Sequence, residues 1–294
     1  MVVETLPAAV RGAYAHCERL ARTHYENFPV ASRLLPPAMR PHVAAVYAFA
    51  RTADDFADEG DHPREQRLRQ LDDWRERLWR AAAGEVPDDD HAPVFAALAH
   101  TIATHHLPVT LFEDLLSAFS QDVTTTRYRT WTDLMDYCRR SANPVGRLVL
   151  RIAGYDREDL DLSSDSLCTG LQLANFWQDF ARDWRIGRLY VPAEISERFD
   201  AREADLEPEA LTPEWRCALE QAAERTRPLF AEGRHVCDEV SGRLRLELRL
   251  TWLGGTTILD KLAATGFEPH HRRPTLGWTD APRLLWQAWR WPPA

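Results

Sequence analysis

The sequence predicts an all-α protein in which one helical domain spans residues 1–294. Two features of the chain favour this class: apolar residues recur at helical spacing in eight long stretches, and no run of alternating apolar and polar residues is long enough for a strand. The intervening segments are short and carry Gly, Pro and Asp, as connections between packed helices usually do. Since the chain contains neither an internal repeat nor a low-complexity linker, the sequence indicates a single helical bundle.

The apolar stretches give the expected positions of the helices. They cover 38–59, 64–83, 91–105, 108–120, 130–153, 162–185, 212–240 and 243–265. Pro144 lies inside the fifth stretch, where a proline should kink the helix. We expect the core of the domain within residues 12–275. The tail, 276–294, should be irregular because it is rich in Pro, Trp and Arg.

Composition limits the classes of function. The chain carries 36 Lys and Arg against 45 Asp and Glu, a formal charge of −9, so it lacks the basic surface that nucleic acid requires. Its 5 cysteines are scattered and form no CxxC pair, which argues against a zinc site or a disulfide framework and favours the reducing cytoplasm. Neither a signal peptide nor an apolar run of about 18 residues is present. We therefore expect a soluble cytoplasmic protein, whose 11 tryptophans leave room for peripheral contact with a membrane.

A polar stripe runs through the segment YAFARTADDFADE, residues 47–59. Tyr47, Arg51, Asp54 and Asp58 follow one another at intervals of 4, 3 and 4 residues, which places them on one face of a helix. Two aspartates one turn apart repel each other. A helix face normally avoids this arrangement unless a cation neutralises it.

A second stripe of the same design lies in LQLANFWQDFARDW, residues 171–184. Gln172, Asn175, Asp179 and Asp183 again share one face of a helix. The surrounding Leu, Phe, Trp and Ala residues indicate a buried helix. A polar stripe on such a helix is costly unless it is paired or bound to metal.

The two stripes are more informative together than separately. Either one alone is better explained as an amphipathic surface helix with incidental aspartates. Facing each other across a bundle, however, the two faces would offer oxygen ligands to hard cations. Mg²⁺ suits this role because it keeps several waters and bridges carboxylates to phosphate oxygens. The sequence thus predicts a Mg²⁺ site for a substrate such as a diphosphate.

Four segments, in order along the chain, resemble the squalene/phytoene synthase family. They are YAFARTADDFADE, DLMDYCRRSANPVG at 133–146, LQLANFWQDFARD and GRLYVP at 187–192. The resemblance extends over residues 12–275. It implies a class I isoprenoid synthase bundle, built around a central cavity that binds prenyl diphosphates.

The resemblance also implies roles for individual residues. Its Mg²⁺–diphosphate ligands would be Asp54, Asp58, Asp179 and Asp183. Gln172 and Asn175 would line the same cavity, with Asn175 near the metal. Tyr47 and Arg51 match positions that approach the diphosphate.

Two further positions follow from the resemblance. Tyr137 matches a tyrosine that steadies cationic intermediates and orients the leaving diphosphate. Arg272 aligns with an arginine on the phosphate side. This chain departs from the usual family pattern at Asn143-Pro144, at Gln178, at Arg182 and at Gly254-Gly255.

The finer match is to members of the family that act in bacterial hopanoid biosynthesis. The segments NFPVASRLLP (27–36), YCRRSANPVG (137–146), LANFWQDF (173–180) and RLELRLTWLGGTTIL (245–259) carry it. It implies that presqualene diphosphate loses diphosphate, that the cyclopropylcarbinyl cation rearranges, and that water adds to give hydroxysqualene. The substrate partner implied is presqualene diphosphate, or farnesyl diphosphate in the condensing alternative. A downstream reductase and, through the tryptophans, transient contact with a membrane are further candidate partners.

Three alternatives remain open on the sequence alone. A condensing synthase would join farnesyl diphosphate into presqualene diphosphate, or geranylgeranyl diphosphate into phytoene. A class I terpene cyclase normally carries an Asn/Ser/Glu triad in its second motif, which LQLANFWQDFARD lacks. A non-catalytic relative would be expected to lose the four aspartates.

Other residues receive weaker assignments. Asn143, beside the expected kink, is a candidate for positioning the water that ends the reaction. For Phe49, Phe176 and Trp177 ordinary core packing is favoured over contact with a carbocation. The tryptophans of the C-terminal part are interpreted as a folded cap, with a membrane-facing lip as the alternative. They are Trp252, Trp278, Trp286, Trp289 and Trp291.

Overall fold

The computed structural model describes residues 6–23, 34–58, 62–206, 210–268 and 273–291. Regular structure in these ranges is helical, and their β pairing is confined to an isolated bridge between Arg127 and Leu189. The predicted all-α class is confirmed. Within the same ranges, no helix is both long and apolar enough to cross a membrane. The chain divides into two compact units, residues 1–124 with 144–156, and residues 125–143 with 157–294.

The regular structure described in the first unit is helical. Its helices are α1 (Ala8–Thr23), α2 (Arg40–Asp58), α3 (Arg64–Ala82), α4 (Ala92–His105), α5 (Val109–Asp122) and α7 (Asn143–Ile152), whose first residue belongs to the second unit. The central helix of this unit is α2, which packs on α1, α3, α4 and α5. Its buried face is made largely of alanines, and these let the neighbouring helices approach closely.

Aromatic side chains fill the core of the first unit around Phe49. This ring is fully buried on α2 and lies 5.7 Å from Trp74, 6.2 Å from Phe95 and 5.5 Å from Phe112, measured between ring centroids. Edge-to-face and offset packing of this kind stabilises a core beyond simple burial. Phe49 is thus a packing residue, as the sequence favoured, and it fixes the rotation of α2 about its axis.

The second unit is built around one long helix. Its helices are α6 (Trp131–Ser141), α8 (Glu158–Arg185), α9 (Ala193–Arg198), a 3₁₀ turn (Glu203–Asp205), α10 (Pro213–Glu232), α11 (Arg234–Glu239), α12 (Gly242–Ala264) and α13 (Ala281–Arg290). Helix α8 contacts α6, α10, α11 and α12. Three acidic residues in its first turn and arginines in its last turn match the helix dipole.

Close packing on α8 depends on glycine. A Cβ added at Gly255 of α12 would lie 2.6 Å from the ring of Phe230 and 2.8 Å from Leu171 of α8. One added at Gly233, between α10 and α11, would lie 2.7 Å from the backbone of Leu167. Gly255, noted in the sequence as a departure from the family pattern, therefore has a packing role. The break at Gly233 also divides the stretch predicted as one helix over 212–240.

The predicted stretches agree with observed helices to within a few residues, apart from breaks at Gly233 and Ala142, whereas α1, α9 and α13 were not predicted. The stretch 130–153 is interrupted at Ala142, and Pro144 becomes the second residue of α7, so the predicted disruption by this proline is confirmed. The expectation of an irregular tail over 276–294 is wrong for α13. This helix forms because Leu284 and Ala288, one turn apart, are buried against the second unit.

Candidate active site

The first acidic stripe lies on α2, along the border of its buried face. Tyr47, Arg51 and Asp54 are half-buried, and Asp58 at the end of the helix is exposed. The helical arrangement predicted from the spacing of these residues is therefore present. The small residues Ala53 and Ala57 are buried beside the stripe, where α2 packs against neighbouring helices of the first unit.

Arg51 supplies positive charge to this stripe. Its guanidinium lies 3.3 Å from a carboxylate oxygen of Asp54 and 2.7 Å from one of Asp55. The repulsion between acidic neighbours that the sequence suggested is therefore already reduced by an arginine one turn earlier. A diphosphate approaching this face would meet both a cationic group and carboxylates that can hold a metal ion.

The second acidic stripe lies on α8. Gln172, Asn175 and Asp183 are half-buried, and Asp179 is only 7% exposed. Asp179 and Asp183 are one helical turn apart, near the end of the helix. The backbone carbonyl of Asp183 also accepts a bond of 2.8 Å from the Arg188 amide as the chain turns away. The sequence therefore placed these four residues on the correct element and face.

The most buried of these carboxylates has a partner that the sequence did not reveal. Arg273 donates to Asp179 from two nitrogens, Nε to Oδ1 and Nη2 to Oδ2, the latter at 3.0 Å. Next to it, the amide nitrogen of Gln178 donates to the carbonyl oxygen of Pro274. The segment that follows α12 is thus bound to α8 at two consecutive positions. Arg272, the arginine predicted for the phosphate side, lies outside the described residues.

An aromatic cluster lies beside the second stripe. Tyr137 of α6 is buried, and its ring centroid is 6.2 Å from Phe176, 6.3 Å from Tyr190 and 5.6 Å from Tyr128. Phe176 and Tyr190 stack almost parallel, with their centroids 3.7 Å apart. Since Phe176 directly follows Asn175 on α8, the cluster borders the stripe that carries Asp179. Phe176 is therefore part of an aromatic group around Tyr137, beyond the ordinary packing that the sequence favoured.

Two members of this cluster are brought in by a backbone contact between distant segments. The Leu189 amide donates to the Thr126 carbonyl at 3.0 Å, and the Ala193 amide donates to the Tyr128 carbonyl at 2.9 Å. Arg127 reinforces the contact by donating to the Gly187 carbonyl at 2.6 Å. Tyr128 and Tyr190 are thereby placed against each other, with 5.9 Å between their ring centroids. In the sequence, Tyr190 was included in the GRLYVP motif but was not assigned a role.

Asn143 and Trp177 are held by buried hydrogen bonds. The side-chain oxygen of Asn143 accepts a bond of 2.8 Å from the Thr169 hydroxyl of α8. The indole nitrogen of Trp177 donates to the Thr226 hydroxyl of α10 at 2.8 Å. Trp177 is a packing residue, as favoured from the sequence. Asn143 is fixed in orientation at the break between α6 and α7.

The chemistry of the predicted metal ligands fits a hard cation. The stripes present carboxylate and amide oxygens, the donors that Mg²⁺ prefers over nitrogen and sulfur. In the parts of the chain that the structure describes, no group of three or more His, Cys, Asp and Glu residues is arranged to hold an ion. The present partners of Asp54 and Asp179 are arginines. Each stripe thus combines oxygen donors with a guanidinium, a pairing that suits a metal–diphosphate complex.

Comparisons with known proteins identify the family of the chain. The family model described as squalene/phytoene synthase matches residues 21–280. A hydroxysqualene synthase of Zymomonas mobilis is 43% identical over 208 residues, which cover 70% of this chain and 67% of that protein. A hydroxysqualene synthase of Rhodopseudomonas palustris is 36% identical, over 78% of this chain and 77% of its own length. The crystal structure of the squalene synthase HpnC from Alicyclobacillus acidocaldarius is similar with a TM-score of 0.83 and 42% identity, over 90% of this chain and 98% of that one.

Proposed function

Since the chain is an enzyme of the squalene/phytoene synthase family, we propose that it converts presqualene diphosphate and water into hydroxysqualene and diphosphate. The observation that carries this proposal is the similarity to two proteins named hydroxysqualene synthase, at 43% and 36% identity. The acidic stripes and the aromatic cluster supply groups suited to the two halves of this reaction, departure of the diphosphate and control of the cation.

Each acidic helix carries carboxylates suited to a metal–diphosphate complex. Asp54 and Asp58 on α2, and Asp179 and Asp183 on α8, are the residues that would hold Mg²⁺. Bound Mg²⁺ would neutralise the negative charge that grows on diphosphate as the C–O bond breaks. Arg51 adds fixed positive charge from α2, and Arg273 adds it beside α8.

The aromatic cluster stabilises the carbocation left behind. The faces of Tyr137, Phe176 and Tyr190 carry negative quadrupole potential, and each is worth about 0.5–2 kcal/mol to a nearby cation. Such a cluster also excludes bulk water, so the cation lasts long enough to rearrange. Cyclopropylcarbinyl ring opening then moves the positive charge without any change in the atoms present.

Water ends the reaction by attacking the rearranged cation. Its oxygen forms the new C–O bond, and one proton is released to the departing diphosphate. Asn143, whose side-chain oxygen is already bonded to Thr169, orients this water through its amide nitrogen. The alcohol product then requires a separate reductase for conversion to a hydrocarbon.

The proposal is tested by supplying two substrates in parallel. Purified enzyme with Mg²⁺ is incubated with presqualene diphosphate or with farnesyl diphosphate, without NADPH, and the lipids are identified by mass spectrometry. We expect hydroxysqualene from presqualene diphosphate only, and none from the Asp54→Asn or Asp179→Asn variants. Presqualene diphosphate formed from farnesyl diphosphate would instead assign the chain to the condensing members of the family.

The role of Asn143 is tested separately. Asn143→Leu should shift the product away from alcohol, and an unchanged product profile would remove this residue from the mechanism.

A further inference from the structure

Helix α13 displays an apolar face to solvent. Leu285, Trp286 and Trp289 are 50%, 58% and 76% exposed, and they lie on one side of the helix together with Pro282. Trp278, just before the helix, is 95% exposed. Large side chains are rarely left so exposed in one place, and a contiguous patch of this kind marks an interaction surface.

The opposite face of the helix is firmly attached to the second unit. Leu284, Ala288 and Trp291 are buried, and the Trp291 indole nitrogen donates to Asp238 at 2.6 Å. The guanidinium of Arg249 donates to the Ala288 carbonyl at 3.3 Å. The outward face is therefore held in a fixed orientation, and its exposure is not the consequence of a loosely packed tail.

The start of the helix is anchored in the same way. Asp280 accepts bonds from the Gly277 amide at 2.8 Å and from the ammonium group of Lys261 at 2.6 Å. Lys261, in the last turn of α12, also donates to the Thr275 carbonyl at 2.8 Å. The segment that carries Trp278 is thus tied to α12 just before α13 begins.

Positive charge flanks the apolar face. Arg283 and Arg290 are exposed along one edge of it, and the helix itself, APRLLWQAWR, contains no acidic residue. The Arg283 guanidinium lies 3.7 Å from Asp280, just before the helix, and its side chain remains half exposed. The Arg290 guanidinium lies 5.4 Å from the centre of the Trp286 ring. The whole chain, by contrast, carries a formal charge of −9. A basic edge on an acidic protein gives this end a preference for a negatively charged surface.

A cavity lies against the inner edge of the same helix. It measures about 660 Å³, and its lining includes Trp252, Leu253, Trp286, Arg234 and Arg290. The walls are mostly apolar, with guanidinium groups among them. Apolar walls suit an acyl chain and arginine suits a lipid phosphate, so this cavity is compatible with the edge of a lipid surface.

We propose that α13 docks the enzyme onto the surface of an anionic phospholipid bilayer. Leu285, Trp286 and Trp289 enter the boundary between headgroups and acyl chains, where tryptophan is enriched. Arg283 and Arg290 meet the lipid phosphates. A second copy of the chain is a poorer occupant because a symmetric pairing of two α13 faces would bring Arg283 and Arg290 of both copies together, and like charges repel.

Docking would serve the reaction by bringing the enzyme to its substrate. A hydrocarbon diphosphate of the kind proposed above dissolves in a bilayer far better than in water. This benefit rests on the proposed function, whereas binding to the bilayer does not. The two claims can therefore fail independently.

The test is sedimentation with vesicles. Wild-type protein is mixed with vesicles of phosphatidylcholine alone, or of equal parts phosphatidylcholine and phosphatidylglycerol, and the bound fraction is measured. We expect binding to the anionic vesicles and a blue shift of tryptophan fluorescence. The double variant Trp286→Ser/Trp289→Ser should bind these vesicles about tenfold or more weakly, because two interfacial anchors are lost. Arg283→Glu/Arg290→Glu should lose the preference for anionic lipid.

Matched controls use exposed residues of the first unit. Trp79, 49% exposed on α3, is replaced by Ser, and Arg80, also exposed there, by Glu. Both control variants should bind vesicles like the wild type. The proposal is overturned if the wild type does not sediment with anionic vesicles, or if the α13 variants bind as well as the controls. It is also overturned if sedimentation velocity shows a dimer that only the α13 variants disrupt. Turnover of detergent-dispersed presqualene diphosphate reports separately on the proposed function.

Discussion

Arg273 and Asp179, 94 residues apart in the chain, form a two-point ion pair, with Nη2 of the arginine 3.0 Å from Oδ2 of the carboxylate. Asp179 is buried, so an unpaired charge there would be costly. The arginine thus performs the neutralisation that the sequence assigned to a metal ion. Asp179 is one of the residues that would hold Mg²⁺ in the proposed reaction, and Arg273, its present partner, would then add positive charge for the diphosphate.

Replacing Arg273 with alanine should therefore have opposite effects on metal binding and on turnover. In the substrate-free variant, no arginine competes with Mg²⁺ for Asp179. The affinity of the protein for Mg²⁺ should therefore rise about fivefold or more. Turnover of presqualene diphosphate should fall about tenfold or more, because a cationic partner of the leaving group is lost. Thermal shifts over a Mg²⁺ series measure the first effect, and product formation measures the second.

Arg182 provides the control for this variant. It lies 3.9 Å from the same carboxylate, but its side chain is 60% exposed, so its interaction is screened. Arg182→Ala should change neither the Mg²⁺ response nor turnover appreciably. Equal behaviour of the two variants would mean that Arg273 has no special relation to the metal.

Tyr190 is expected to contribute through its ring face. Tyr190→Leu should reduce turnover by about 2- to 30-fold, as the loss of one cation–π contact predicts. Tyr190→Phe keeps the ring stacked on Phe176 and should retain most of the activity. Tyr155→Leu, in the first unit, is a control for the loss of a tyrosine elsewhere. If Tyr190→Phe is as impaired as Tyr190→Leu, the hydroxyl and not the ring is the important group.

Gly255 should tolerate no side chain. In Gly255→Ala the new methyl would lie 2.6 Å from the Phe230 ring and 2.8 Å from Leu171, so these buried side chains must repack or the helices must shift. We expect the free energy of unfolding to fall by about 1–3 kcal/mol, visible as a lower Tm in calorimetry. Gly12→Ala on α1 is the matched control, because nothing lies within 4 Å of its added Cβ. That substitution should leave the Tm unchanged or raise it, since alanine favours a helix.

Stability should decline in mild acid because of His42. Burial, with the nearby His105 and His100, lowers the pKa of His42 to about 4. In the unfolded chain its pKa is about 6.5, so below that pH the unfolded state binds a proton that the folded state does not. The contribution of neutral His42 to the free energy of unfolding is therefore complete above about pH 6.5 and is lost as the pH falls to about 4. Because the group is only half-buried, we expect this contribution to be about 1–2 kcal/mol.

The variant His42→Gln isolates this effect. It should flatten the dependence of Tm on pH between about 6.5 and 5, where most carboxylates remain ionised. His62, exposed before α3, is replaced by Gln as the control and should leave the dependence intact. Parallel curves for the two variants would show that His42 does not govern this range.

Local spacing explains why both acidic stripes could be predicted from the sequence. Residues three and four apart share a helix face in any helix, so Asp54 with Asp58 and Asp179 with Asp183 follow from periodicity alone. Arg273 could not be found in this way, because its partner is 94 residues distant and no local pattern connects them. Tyr190 reaches Tyr137 only because the backbone of Leu189 bonds to that of Thr126.

Helix α13 was missed in the sequence for a different reason. A surface helix is normally recognised by an apolar face inside and a polar face outside. In α13, tryptophans and a leucine are exposed as well, and the Pro, Trp and Arg content of the tail favoured an irregular segment. The residues that obscured the helix in the sequence are those of its proposed membrane-docking face.

The most direct test of the central claim is the reaction of presqualene diphosphate with Mg²⁺ in water enriched in ¹⁸O. If the diphosphate leaves with its bridging oxygen and water attacks the rearranged cation, the hydroxysqualene formed should carry one atom of ¹⁸O. The Asp54→Asn and Asp179→Asn variants should yield none of it. An unrearranged alcohol without the label, formed by cleavage of the P–O bond, would contradict the account.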